Sequence, residues 1–159
     1  MPPLWVDMNV GGQTMEGYQT RPEGDGSHPA VIVIQEIWGV NSHIQYVTDR
    51  LPSLGYVGLA PAMFHREGRM SIGLHEEMDT AISRMRNCTD ETILADVQAA
   101  VDYLKAQSFV QGDRIGIVLA QRPETALTHL AAYKLGAIAV PIYCLFGPDA
   151  LEYRLADSG

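Results

Sequence analysis

Glu36 is the side chain whose setting raises the sharpest chemical question. It lies in Gln35-Glu36-Ile37-Trp38-Gly39-Val40-Asn41, directly after the β-branched run Ala30-Val31-Ile32-Val33-Ile34. A carboxylate at the end of an apolar strand is costly unless it is paired. It therefore accepts hydrogen bonds from turn amides, sits at a wet rim, or takes part in a site. Trp38 beside it either lines an apolar pocket or packs under the following helix. Arg66 could bind a substrate carboxylate, because a guanidinium fork matches that shape. The alternative is a solvated loop, which is the reading for Arg69. Cys144 follows an apolar strand and reads as a small residue with inert sulfur. Cys88 precedes a helix start with no identifiable base and reads as a loop thiol. His65 and His75 flank a loop containing Gly and Arg, but a metal site needs a third ligand, and none is legible. His129 lies near a helical apolar stripe and reads as structural.

Such groups can act only where the fold places them. Residues 5–20 alternate loosely around Gly11-Gly12 and predict an antiparallel hairpin. The run at 30–34 predicts a central strand covered on both faces. Asn41-Ser42 can cap a helix with apolar positions Ile44, Val47 and Leu51, which Pro52 ends or kinks. Residues 56–60 predict the next strand, stopped by Pro61. Leu74, Met78, Ile82 and Met85 recur at helical spacing. Thr89-Asp90-Glu91 places a cap and two acids at a helix start, followed by the stripe Ile93, Leu94, Val97, Ala100, Val101 and Leu104. Gly112-Asp113 predicts a turn and residues 114–119 a buried strand. A helix from Pro123 to a stop at Gly136, a strand at 137–142 and a short helix from Pro148 complete the pattern. Strands alternating with helices give an α/β fold with a mainly parallel sheet and an N-terminal antiparallel hairpin. In such sheets the sites lie beyond the carboxyl ends of the strands, here near residues 35–41, 61–69, 120–123 and 143–147.

Composition bounds the function without naming it. The 159 residues suit one domain, with 47% apolar and 19% charged residues. A formal net charge of −8 argues against nucleic acid or an anionic membrane as a partner. No apolar run approaches a membrane span, and the N-terminus lacks the pattern of a secretory signal. Two distant cysteines form no disulfide framework and point to a reducing, cytoplasmic setting.

The stretch 28–64 closely resembles the dienelactone hydrolase family of α/β-hydrolases. Pro29-Ala-Val-Ile-Val-Ile, Gln35-Glu36-Ile37-Trp38-Gly39-Val40-Asn41, Leu54-Gly55-Tyr56 and Ala60-Pro61 carry the likeness. Ala60-Pro61-Ala62-Met63-Phe64-His65-Arg66 resembles the family's loop after the next strand, and residues 89–118 its helix and strand leading to the nucleophile. The resemblance implies an ester or lactone hydrolase with a Cys nucleophile on a sharp elbow, supported by a His–Asp pair and needing no cofactor. It implies that Glu36 interacts with the resting thiol and that the Ile37 backbone N–H helps form the oxyanion hole. The underlying needs are general: a thiolate requires an activating partner and a tetrahedral oxyanion requires fixed donors.

The resemblance breaks at the elbow. Where the family has Gly-x-Cys-x-Gly, this sequence reads Leu119-Ala120-Gln121-Arg122-Pro123. Gln121 stands at the nucleophile position, and its amide is not a nucleophile. Leu119 and Pro123 cannot supply the backbone freedom that glycines give a strained turn. The sequence ends at Gly159 before the positions where the family's catalytic Asp and His fall, so the expectation is that both partners are lacking here along with the nucleophile. From residue 112 onward, Gly-Asp-Arg-Ile-Gly-Ile-Val-Leu-Ala-Gln-Arg-Pro-Glu-Thr-Ala, Tyr133-Lys-Leu-Gly-Ala-Ile-Ala-Val-Pro141 and Leu145-Phe-Gly-Pro148 resemble the N-terminal region of AMP-forming acyl-CoA synthetases, without that family's phosphate loop and Lys. The chain reads as a composite, with the sheet truncated and an exposed last strand that invites homodimerisation. The expectation is a hydrolase lineage with little or no turnover on a small-molecule ester or lactone. A synthetase fragment and a non-catalytic binding domain are the alternatives.

Overall fold

The computed structural model describes residues 2–68, 78–118 and 153. Five strands form one sheet: β1 (Leu4–Val10), β2 (Gln13–Thr20), β3 (His28–Val33), β4 (Val57–Pro61) and β5 (Val110–Val118), in the order β1-β2-β4-β3-β5. The hairpin forms as expected, with Val10 opposite Gln13 across Gly11-Gly12. Both glycines have positive φ, +58° and +89°, a backbone state that only glycine adopts readily. β2 continues antiparallel onto β4, whereas β3 runs parallel to both β4 and β5. The described sheet is therefore mixed, a parallel core extended by the antiparallel hairpin.

β3 is buried on both faces because its side chains alternate between two helices. Ala30 and Ile32 join Met8, Met15, Leu59, Val97, Val101, Leu104 and Ile117 on the side of α3 (Asp90–Lys105). Val31 and Val33 join Tyr18, Ile44, Leu51 and Ala60 on the side of α1 (Ser42–Arg50). Each large side chain fully withdrawn from water contributes roughly 1.5–3 kcal/mol. The helix starts follow the sequence signals. Asn41 Oδ1 accepts from His43 N and Ile44 N, both at 3.1 Å, and the Thr89 side chain accepts from Thr92 N. After α1 the chain tightens into a 3₁₀ turn, Leu51–Leu54, which contains Pro52 and closes on Gly55 at φ +85°. α2 spans Met78–Asn87.

Two sequence expectations are corrected. Gly112-Asp113 is not a turn before a strand, because β5 already begins at Val110. The ladder is instead irregular there. His28 faces Val110 and Ala30 faces Ile115, so residues 111–114 lie opposite Pro29. Proline has no N–H to donate to a ladder, which suits it to such an irregularity. On α3, Leu94 is 40% exposed rather than part of the buried stripe, and Asp96 is buried at 1% exposure. Leu74, and the helices and strand expected beyond residue 118, lie outside the described residues.

Candidate active site

The segment after β3 forms a tight turn at the carboxyl end of the parallel strands, where sites in α/β sheets lie. Gly39 N donates to Glu36 O at 3.0 Å, and Gly39 has φ +76°. The turn is fixed to the neighbouring strand end, because Gln35 Oε1 accepts from Met63 N at 3.0 Å. It is fixed to α1 as well, since Gln45 Nε2 donates to Val40 O at 3.0 Å. Glu36 is half-buried, and no hydrogen bond to its carboxylate is found among the described residues. The Ile37 N–H takes no part in the turn's hydrogen bonds. A rigid turn with an uncommitted amide and a carboxylate one residue apart can hold a developing oxyanion beside an acid–base group.

Ile37 and Trp38 pack against Phe64, Ala81 and Cys88. Trp38 is thus half-buried in a small apolar cluster where the turn, the loop after β4 and α2 meet. Cys88 sits at the same junction, its Sγ 4.0 Å from Met63 O. Burial, and then the Asp96 carboxylate, push its thiol pKa up, outweighing the opposing pull of Arg66. A thiol so placed is the reverse of an activated nucleophile.

Arg66 is committed within the protein. Its Nη1 donates to Asp96 Oδ2 at 2.9 Å and its Nη2 to Asp96 Oδ1 at 2.8 Å. The fork read from the sequence as a substrate-carboxylate binder is thus closed onto an internal carboxylate. The Asp96 hydrogen bond also raises the Arg66 pKa, so the guanidinium stays charged. His65 Nε2 lies 3.2 Å from Asp96 Oδ1, with the His65 side chain 3% exposed. Glu67 extends the link to α2: Asn87 Nδ2 donates to Glu67 Oε1 at 2.6 Å, and Arg84 Nε is 3.3 Å from Glu67 Oε2.

This His65–Arg66–Asp96 cluster escaped the sequence reading. Its signal was present. Position 96 falls three residues after Ile93 and four before Ala100, inside the apolar stripe, so its carboxylate had to turn inward. Among the described residues no three His, Cys or acidic side chains converge as a metal centre requires. Gln121, Arg69, His75, His129 and Cys144 lie outside the described residues.

Comparison with known proteins places these features in a lineage. The dienelactone hydrolase family matches residues 15–118, and the AMP-binding enzyme family matches residues 78–159. A Synechocystis protein named as a carboxymethylenebutenolidase is 38% identical over 104 residues, covering 64% of this chain and 42% of its own length. A Bradyrhizobium protein named as a 2-oxo-3-(5-oxofuran-2-ylidene)propanoate lactonase is 34% identical over 114 residues, covering 72% of this chain and 45% of its own length. The chain thus spans less than half the length of these relatives. Among solved structures, the dienelactone hydrolase-like promiscuous phosphotriesterase P91 from metagenomic libraries superposes with TM-score 0.70 at 23% identity, over 95% of this chain and 63% of that one. A Klebsiella pneumoniae protein named as a dienelactone hydrolase does so with TM-score 0.64 at 16% identity, over 99% of this chain and 97% of that one. Both share the α/β-hydrolase fold. Through residues 15–118, which include the turn at Glu36, this chain belongs to the dienelactone hydrolase family, and residues 78–159 carry the match to AMP-binding enzymes.

Proposed function

We propose that this chain is an ester- or lactone-hydrolase scaffold that retains the oxyanion side of the site and lacks the nucleophile. The observation that carries this reading is the Glu36–Gly39 turn with its uncommitted Ile37 amide, set against an amide side chain at Gln121. In this reading Glu36 and the Ile37 N–H face a small-molecule ester or lactone, and Trp38 forms an apolar wall for it. Arg66 secures the loop beneath rather than binding substrate. Without a thiolate or alkoxide at position 121 no acyl-enzyme forms, because acyl transfer needs an attacking electron pair that a carboxamide does not offer at neutral pH. What remains is binding, with turnover near the background rate.

The test is hydrolysis of a p-nitrophenyl ester by the full chain, beside Glu36→Ala and Cys144→Ala. All three should match the buffer rate. Turnover that vanishes in Cys144→Ala would make Cys144 a nucleophile and overturn the reading. A second reading, supported by the match over residues 78–159, is ancestry in acyl-adenylate chemistry. ATP–pyrophosphate exchange in the presence of a fatty or aryl acid would support it.

A further inference from the structure

The turn after β3 leaves one donor and one acceptor open on adjacent residues. The Ile37 N–H enters no backbone hydrogen bond, and the half-buried Glu36 carboxylate meets no donor among the described residues. Arg66, the arginine of the neighbouring loop, does not answer it, because both its terminal nitrogens hold Asp96. The backbone beneath is fixed: Gln35 Oε1 accepts from Met63 N and Gly39 N donates to Glu36 O, each at 3.0 Å. Ile37 and Trp38, both half-buried, add apolar surface directly beside the open pair.

An ionised carboxylate only accepts hydrogen bonds, whereas a backbone N–H only donates. A plain ester or lactone offers acceptors alone. It can take the Ile37 N–H on its carbonyl oxygen, but it leaves Glu36 unanswered, and a half-buried polar group without a partner is destabilising. A hydroxyl on the carbon next to the carbonyl supplies the missing donor. Such a ligand sets a donor beside an acceptor, the complement of what Glu36 and Ile37 present. An ammonium at that carbon would bring three donors to one carboxylate on an apolar flank and leave N–H groups unmet. We infer that the Glu36 turn selects 2-hydroxy esters and lactones, with the ligand carbonyl on the Ile37 N–H and the 2-hydroxyl donating to the Glu36 carboxylate. The inference rests on the Glu36 turn being the binding face and adds the ligand class to it.

The test titrates the full, isotope-labelled chain with 2-hydroxy-γ-butyrolactone and, separately, with γ-butyrolactone, which lacks only that hydroxyl. Amide resonances of Ile37, Trp38 and Gly39 should report binding, with the hydroxylactone at least about tenfold tighter, the usual strength of a hydrogen bond to a charged group. Glu36→Ala should bring the two lactones to within about twofold of each other, and Glu36→Gln, which keeps an uncharged acceptor, should fall between. Unchanged circular dichroism checks the fold of both variants, and the ratio in the unsubstituted chain decides the matter even if a variant misfolds. Equal affinities in the unsubstituted chain overturn the inference and leave the Glu36 turn a binding face. A preference that survives Glu36→Ala overturns it as well, by placing the hydroxyl elsewhere. If neither lactone moves these amides, the binding face and the ligand class fall together.

Discussion

Arg66 grips Asp96 with both terminal nitrogens, at 2.8 and 2.9 Å, and so clamps the loop after β4 onto the middle of α3. Asp96 is 1% exposed, and the Arg66 side chain 30%. Phe64, in the same loop as Arg66, packs against Ile37 and Trp38, so the shape of the candidate site rests on a buried charge being answered. Removing one member of a buried pair strands the other. We expect Asp96→Asn to cost about 3 kcal/mol in urea unfolding. A loss below about 1 kcal/mol would show that water already screens the pair.

Tyr18 Oη donates to Asp49 Oδ1 at 2.8 Å, joining β2 to α1. Burial and this bond push its pKa from 10.0 up to about 12. Because the folded pKa exceeds the ordinary one, the stabilisation is complete below pH 10 and is lost as pH rises through 12. Burial also raises Tyr56 and Tyr103, so ultraviolet titration of Tyr18→Phe beside the unsubstituted chain should show the latest-ionising tyrosine lost and the others kept. That substitution should cost about 1 kcal/mol at neutral pH, and a chain lacking the late tyrosine would refute the assignment.

Cys88 should behave as a masked thiol. In a Cys144→Ala background, labelling by a disulfide reagent at pH 7 should be at least about tenfold slower than for a free thiol, because burial and Asp96 both disfavour the thiolate. Urea should restore full reactivity. Fast labelling of the folded chain would place Cys88 outside the cluster described above.

Gly58 on β4 should tolerate no side chain. A Cβ there would lie 2.6 Å from Thr20 Oγ1, 2.8 Å from Thr48 Cγ2 and 2.9 Å from Leu51 Cδ1. Gly58→Ala should destabilise by about 1–3 kcal/mol, the usual cost of overpacking. Unchanged thermal unfolding would mean that α1 sits further from the sheet.

Local signals carried much of this architecture. The two glycines of the hairpin, the β-branched run at 30–34 and the caps at Asn41 and Thr89 act through their immediate neighbours, so their outcome could be read in sequence. Contacts between distant segments could not. Nothing local to Arg66 announces that its partner is Asp96, thirty residues on, and a lone arginine in a loop reads equally as solvated or substrate-binding. Asp96 was obscured for a different reason. The apolar stripe around it gives the helix, and the inward position of its carboxylate shows only when burial is counted residue by residue. The β5 irregularity was missed because Gly-Asp ordinarily marks a turn, whereas here Pro29 across the ladder leaves the strand room to bulge.

Intact-mass spectrometry after incubation with a mechanism-based ester inhibitor asks whether any residue of this chain can act as the acyl-accepting nucleophile. With glutamine at position 121, the chain should keep its unmodified mass while an active serine or cysteine hydrolase in the same tube is labelled. A stoichiometric adduct, mapped by peptide digestion to a residue in the pocket beside Glu36, would contradict it.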